Sequence, residues 1–171
     1  MSALATKAAE RRSLRKNGSE RATAGYARHR PQRSEGARMS ADENVQTAKE
    51  GYAAFGRGDI GAILELLTDD IEWIEPGPAD VIPAAGTYRG KEEVSRFFAT
   101  LGEEVEIHRF EPHEFIAQGD HVVVLIHSEA TVKRTGRKVT DHLAHVWTFE
   151  GSKLARFEVF SDTAAIVAAN S

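Results

Sequence analysis

The dominant period of the apolar residues changes near residue 104 of this chain, and the change restricts the folds that the chain can adopt. Between residues 40 and 101, apart from one short stretch and a loop, apolar side chains recur at spacings of three and four, which is typical of helices with one buried face. Beyond residue 104, apolar and polar residues alternate, which is typical of strands that cover a core. Helices followed by consecutive strands predict an α+β domain with helices on one face of a curved antiparallel sheet.

The helical part opens with a start signal. Ser40 and Glu43 in "SADE" have the spacing of a capping box. "GRGD", residues 56–59, ends this first helix, and Asp59 is placed to cap a second one. Alternation in residues 69–76 predicts a short strand. The three prolines and three glycines of residues 76–90 predict a loop, and residues 91–101 predict a third helix.

Four further strands are predicted at residues 105–117, 121–133, 138–149 and 153–161, followed by a short helix at residues 163–169. The third of these strands contains "DHLAHVWTF", in which His142 and His145 are three positions apart. Residues an odd number apart in a strand point to opposite faces, so these two histidines cannot ligate one metal ion. The sequence predicts neither a metal site nor a cofactor.

The hairpin between the second and third of these strands predicts which side chains share a face. A turn at Thr135-Gly136 would place Ile126 opposite His145, and Glu129 opposite His142. One face then collects mostly apolar residues around His145: Val122, Val124, Ile126, Ser128, Ala130, Leu143, Trp147 and Phe149, joined by Phe157 and Val159 of the last strand. His145 is either a core histidine held by a neighbouring acceptor or a polar group at the floor of a pocket, and the pattern leaves both open.

Composition and charge limit the partners. Residues 1–38 hold ten of the 22 basic residues, three of the 26 acidic residues and few large apolar side chains. We predict a disordered basic leader there, rather than a transit peptide, which three glutamates disfavour. Met39 stands where the globular pattern begins, and residues 39–171 are predicted to form one domain of net charge −11, which disfavours nucleic-acid binding. No long apolar run is present, so a cytoplasmic protein without a membrane partner is expected.

Three segments carry a resemblance to a known superfamily: "YAAFGRGDIGAILELLTDDIEWIEPG", "GTYRGKEEVSRFF" and "HVWTFEGSKLARFEVFSDTAA". In this order they resemble the SnoaL-like branch of the ketosteroid isomerase and nuclear transport factor 2 (NTF2)-like superfamily, over residues 40–169. The resemblance implies an NTF2-like cone, in which a strongly curved antiparallel sheet wraps around N-terminal helices. It also implies an apolar pocket inside the cone and a homodimer that forms through the outer sheet face.

The resemblance further implies a site. Glu75, just before a proline, stands where steroid isomerases of this superfamily keep a carboxylate base, and His145 stands where they keep an oxyanion acid. Their oxyanion tyrosine corresponds to Gly51, with Tyr52 next to it. Asp162 is a second candidate acid, although its position favours capping of the last helix. The pocket is expected to be lined by Tyr52, Phe55, Trp73, Phe98, Ile126, Ser128, Trp147, Phe157 and Val159.

These observations lead to two functional hypotheses. The first is a cofactor-free acid/base enzyme of the isomerase, cyclase or hydratase type, which acts on a small hydrophobic carbonyl compound through Glu75 and His145. The second is a non-catalytic dimeric module that holds an apolar ligand in the same cone. The two hypotheses differ in whether Glu75 and His145 converge on one open cavity.

Overall fold

The computed structural model describes residues 40–171, and the predicted basic leader at residues 1–38 lies outside the described residues. The described chain runs from helices into a sheet and ends in a short helix. Its elements are α1 (Ala41–Gly56), α2 (Ile60–Glu65), β1 (Leu67–Glu75), β2 (Gly86–Arg89), α3 (Gly90–Glu104), β3 (Val105–Gln118), β4 (His121–Val132), β5 (Arg137–Glu150), β6 (Lys153–Phe160) and α4 (Thr163–Asn170). The change of period near residue 104 therefore marks the junction of α3 and β3.

The helix starts follow from local chemistry. The Ser40 hydroxyl accepts a hydrogen bond from the Glu43 N–H, and the Glu43 carboxylate accepts one from the Ser40 N–H, at 3.3 and 2.7 Å. Asp59 accepts from the Ala62 N–H at 3.0 Å and so caps α2. Each side chain satisfies an amide that has no partner within its helix. Both predicted caps are confirmed.

The six strands form one sheet in the order β2-β1-β6-β5-β4-β3. All neighbours are antiparallel except β1 and β6, which run parallel. Register shifts interrupt the β3–β4 and β5–β6 ladders, and such bulges increase the twist and bend of a sheet. The curved, unclosed sheet covers the helices, and the NTF2-like cone expected from the sequence is confirmed.

Two local predictions were wrong. The residues predicted as a single loop, 76–90, contain the short strand β2, which pairs with β1 along Glu72–Glu75. The β4–β5 connection comprises residues 133–136 rather than a two-residue turn, so Val124 lies opposite His145, and Glu129 lies opposite Thr140 instead of His142. Because the register differs by two residues, every side chain stays on its predicted face.

The longer β4–β5 loop is explained by its contacts with the C-terminal helix. Thr135 Oγ1 donates to the Ala169 carbonyl at 2.6 Å, and Arg137 donates to the Ala168 carbonyl at 2.7 Å. Arg134 donates to the Asn170 carbonyl. The last carbonyls of a helix have no partner within it, so this loop caps α4 and fastens it against the sheet.

The core lies between the concave face of the sheet and the helices. Trp73 stacks on Phe157 with ring centroids 3.8 Å apart, and both rings are nearly inaccessible to solvent. Aliphatic side chains of β4, among them Val122 and Val124, complete this layer. Among residues 40–171, no helix is long and apolar enough to span a membrane.

Candidate functional site

A cavity of about 230 Å³ lies inside the cone, between α1, α3, the loop after β1, the sheet and α4. Eight of the nine predicted lining residues do line it: Tyr52, Phe55, Trp73, Phe98, Ser128, Trp147, Phe157 and Val159. Ile126, the ninth, does not, because its side chain is only 1% exposed and packs in the core layer beneath. The wall is largely apolar, so each polar group that faces the cavity is a candidate for chemistry.

Glu75 is the last residue of β1 and points to the inner face with Trp73. The Trp73 indole N–H donates to its Oε1 at 3.0 Å. Burial raises the pKa of Glu75 to about 8, and the Trp73 hydrogen bond only partly offsets this effect. Most Glu75 carboxyls are therefore protonated at neutral pH, and the ionised form is reached with little further change in pH.

His145 is 8% exposed and lies on β5, facing the cavity. Burial lowers its pKa to about 3, so the imidazole is neutral at physiological pH. The Tyr52 hydroxyl lies 3.0 Å from His145 Nδ1. A neutral imidazole has one donor and one acceptor nitrogen, so the partner of Nδ1 determines what Nε2 presents.

The partners of Tyr52 favour one assignment. The Trp147 indole N–H donates to the Tyr52 hydroxyl oxygen at 2.9 Å. Among residues 40–171 the Tyr52 O–H has no acceptor other than His145 Nδ1, and the pKa of Tyr52 is raised by burial, so the hydroxyl keeps its proton and donates it to Nδ1. His145 then carries its own proton on Nε2. Within residues 40–171, Nε2 has no hydrogen-bond partner.

The predicted lining residue Tyr52 thus has a second role that sequence reasoning missed, because it contacts a residue 93 positions away. The available signal was its neighbour Gly51. A Cβ atom at Gly51 would lie 2.6 Å from the Trp147 ring, so glycine leaves the space that the indole occupies. The tyrosine expected from the resemblance is displaced by one position, and it still reaches His145.

Strand register places Glu75 and His145 in one row. Ile74 is paired with Glu158 in the parallel β1–β6 ladder, so Glu75 comes level with Val159, and Val159 is paired with His145. Two strand spacings, about 10 Å, therefore separate the backbones of Glu75 and His145. Both side chains line the same cavity, with Val159 between them at its floor.

Asp162, the second candidate acid, occupies a different position. The Asp162 carboxylate accepts from the Ala165 N–H at 3.0 Å, so it caps α4, and it does not line the cavity. The backbone N–H of Asp162 donates instead to Asp141, at 3.3 and 3.4 Å from its two oxygens. Asp141 is 7% exposed and lines the cavity. No sequence pattern singles out Asp141, which precedes His142 on a strand whose inner face is mostly apolar.

Metal ligation has no support in the described part of the chain. No group of three or more histidine or acidic side chains there is arranged to hold a metal ion. His127 and His142 do approach each other, with ring centroids 4.5 Å apart, but they lie on the outer face of the sheet.

The comparisons with known proteins agree with this architecture. A family profile for the SnoaL-like domain matches residues 48–157. The chain belongs to the SnoaL-like domain family. None of the curated proteins compared with it matches.

Solved structures of SnoaL-like and NTF2-like proteins align over most of the domain. An NTF2-like protein from Burkholderia xenovorans LB400 is 39% identical, with a TM-score of 0.72 over 78% of this chain and 99% of that one. An NTF2-like protein from Burkholderia pseudomallei K96243 is 34% identical, with a TM-score of 0.68 and the same coverage. TerC, co-crystallised with polyporic acid, is 32% identical, with a TM-score of 0.66 over 75% of this chain and 98% of that one.

Proposed function

We propose that this SnoaL-like protein is a cofactor-free acid/base enzyme, of the isomerase, cyclase or hydratase type, that acts on a small apolar carbonyl compound. One observation carries the proposal. Glu75 and His145 face the same largely apolar cavity, and Nε2 of His145 has no hydrogen-bond partner in the part of the chain that the structure describes. Paired titratable groups with opposite pKa shifts in a largely apolar pocket are typical of sites that move protons.

His145 is assigned to the carbonyl oxygen. Its Nε2–H donates a hydrogen bond to that oxygen, and the bond strengthens as negative charge develops during enolisation. Tyr52 and Trp147 hold the ring in the required tautomer through the hydrogen bonds at 3.0 and 2.9 Å. Since the pKa of His145 is about 3, the ring acts as a neutral hydrogen-bond donor rather than as an imidazolium ion that transfers a proton.

Glu75 is assigned to the proton transfer at the substrate carbon next to the carbonyl. Its ionised form takes a proton from the carbon next to the carbonyl, the electron pair of the broken C–H bond forms the enolate, and the protonated carboxyl returns the proton to carbon. A pKa of about 8 places the carboxyl close to the operating pH, where a group that must both accept and donate works best. At pH 7 roughly one carboxyl in ten is ionised.

The relatives support a ligand-binding cavity. TerC, at 32% identity, was co-crystallised with polyporic acid, so an organic molecule has been crystallised with a protein of this fold and degree of similarity. We take from this only that the cavity of the present chain is suited to a small organic ligand. The chemical class of that ligand is inferred from the side chains.

A homodimer through the outer face of the sheet is also proposed. That face presents Val123, Leu125, Ala144 and Val146, which are half-buried, and β3 adds Ile116, which is 50% exposed. An apolar patch on a sheet is typical of an interaction surface. Sedimentation velocity of the wild type and of Val146→Glu tests this proposal, because a dimer should dissociate in the variant and a monomer should be unaffected.

The test of the catalytic proposal uses a simple ketone. The α-protons of 4-phenylcyclohexanone should exchange with D₂O faster in the presence of the protein, as followed by proton NMR. Glu75→Gln should lower this exchange rate about 10²- to 10⁴-fold, the usual contribution of a general base. Glu114→Gln, a matched change at an exposed carboxylate of β3, should leave it unchanged.

Three outcomes would decide against the proposal or against its alternative. Exchange that is unaffected by Glu75→Gln would contradict the assignment of the base. Binding of the ketone without any accelerated exchange would favour the non-catalytic binding module. Accelerated exchange that is lost only in Glu75→Gln would exclude that module.

A further inference from the structure

A second polar position lies in the same cavity, away from Glu75 and His145. Asp141 and His145 both lie on β5 and both face inward, with Leu143 between them. They are four positions apart along the strand, which corresponds to roughly 13 Å between their backbones. The two groups therefore occupy two well-separated positions in one largely apolar cavity.

Asp141 has unused hydrogen-bonding capacity. Its two oxygens share a single donor, the backbone N–H of Asp162, at 3.3 and 3.4 Å. A carboxylate can accept about four hydrogen bonds, and Asp141 has no ion-pair partner among residues 40–171. A buried carboxylate of this kind is expensive unless further donors reach it.

Ser161 supplies an independent observation at the same place. It directly precedes Asp162 and lines the cavity, and its buried hydroxyl oxygen has no hydrogen-bond partner among residues 40–171. Buried polar atoms without partners are uncommon in folded proteins, and each one calls for a physical explanation. An acceptor with spare capacity and a hydroxyl with no partner among residues 40–171 thus line the same cavity, joined through the Asp162 N–H.

We propose that Asp141 and Ser161 form a subsite for a hydroxyl group at the end of the ligand remote from its carbonyl. A hydroxyl donates its proton to Asp141 and accepts the proton of Ser161, so it satisfies both groups at once. An ammonium group would satisfy only Asp141, because it has no acceptor. The inference rests on the proposed function for the carbonyl end, and it specifies the substrate class as an elongated, apolar hydroxyketone.

The test uses three probes that differ at one end only: 4-(4-hydroxyphenyl)cyclohexanone, 4-phenylcyclohexanone and 4-[4-(aminomethyl)phenyl]cyclohexanone. A two-ring frame with an oxygen at each end suits the spacing of the two groups. Isothermal titration calorimetry gives Kd for each probe with the wild type and with Asp141→Asn, Ser161→Ala and the exposed-site control Asp42→Asn. Asparagine keeps an acceptor for the Asp162 N–H, and thermal unfolding checks that each variant remains folded.

The wild type should bind the hydroxylated probe about ten-fold more tightly than 4-phenylcyclohexanone, as expected for a hydrogen bond to a charged group. Asp141→Asn and Ser161→Ala should each reduce this preference, whereas Asp42→Asn should retain it. Equal affinities for the two probes in the wild type, or a preference that survives both cavity variants, would overturn the subsite. Tighter binding of the aminomethyl probe would overturn the assignment to a hydroxyl.

The carbonyl end is read separately, so that failure of the subsite and failure of the proposed function are distinguishable. The carbonyl ¹³C shift of the bound probe should move downfield in the wild type and return towards its free value in His145→Leu. A hydroxyl preference without this shift would uphold the subsite and contradict the carbonyl assignment. A ¹³C shift without a preference for the hydroxylated probe would uphold the carbonyl assignment and overturn the subsite. Failure of all three probes to bind would overturn the subsite and the carbonyl assignment.

Discussion

The substitution Tyr52→Phe removes one oxygen atom from the centre of the candidate site. That oxygen accepts the Trp147 N–H at 2.9 Å and lies 3.0 Å from His145 Nδ1. The phenyl ring remains, so the packing of residue 52 against the Phe110, Phe115 and Trp147 rings is retained. The change therefore isolates the hydrogen bonds from the packing.

The expected cost follows from what is left without a partner. Trp147 Nε1–H and His145 Nδ1 are both in largely buried residues, and each unsatisfied group costs about 1–3 kcal/mol. The free energy of unfolding should fall by about 2–6 kcal/mol. For a domain of this size that corresponds to a lower Tm by roughly 6–24 °C, at about 3–4 °C per kcal/mol. Tyr88→Phe, which removes one hydrogen bond to the Ala84 carbonyl, is the matched control and should cost about 1 kcal/mol.

Two assays follow the two effects. Thermal unfolding, monitored by circular dichroism, gives the loss of stability. The ¹⁵N shifts of His145 report its tautomer, which should change from pure Nε2–H to a mixture when the Tyr52 hydroxyl is absent. A Tyr52→Phe protein that is as stable as the wild type, or that keeps an unchanged His145 tautomer, would refute the role given to Tyr52.

Three further perturbations have defined outcomes. The pKa of Glu75 is raised to about 8, so the folded state holds a proton that the unfolded state has lost. The contribution of the protonated Glu75 carboxyl to the free energy of unfolding is fully present below about pH 4.5 and disappears as the pH rises to about 8. Chemical unfolding between pH 6.5 and 8 should show wild-type stability falling by up to about 1.4 kcal/mol per pH unit, and Glu75→Gln should abolish this slope. A slope that persists in the variant would have another origin. Gly51→Ala should lower the Tm by several degrees, because the new Cβ would lie 2.6 Å from the Trp147 ring. The control Gly102→Ala in α3 should be neutral or slightly stabilising, because a Cβ there has no neighbour within 4 Å. Equal Tm values for the two variants would mean that the contact at residue 51 is relieved at no cost. Thr135→Ala should speed amide exchange in the last turn of α4, because it removes the 2.6 Å hydrogen bond to the Ala169 carbonyl. Hydrogen-exchange mass spectrometry measures this rate, and an unchanged rate would contradict the capping role of the β4–β5 loop.

The parts of the fold that could be predicted from the sequence are those fixed by local chemistry. The Ser40 and Asp59 caps involve residues three positions apart, and the inner face of β5 follows from strict alternation. The register of the β4–β5 hairpin could not be predicted in this way. Its loop is held at four residues by hydrogen bonds from Thr135 and Arg137 to a helix more than thirty positions away.

In the candidate site, too, some features could be predicted from the sequence and others could not. The placement of Glu75 and His145 on inward-facing positions followed from alternation together with the family resemblance. The Tyr52 hydrogen bond and the Asp141 subsite did not, because each joins elements that become neighbours only when the sheet curves around the helices. Short strand β2 escaped prediction for a related reason, since its ladder with β1 outweighs the turn-forming residues that surround it.

The pH profile of α-proton exchange in 4-phenylcyclohexanone tests the central claim most directly. If Glu75 is the base, the exchange rate should rise with an apparent pKa of about 8 and then level off. The same titration should be absent in Glu75→Gln and retained in Glu114→Gln. A profile without a titration near pH 8, or an identical profile in Glu75→Gln, would contradict the account.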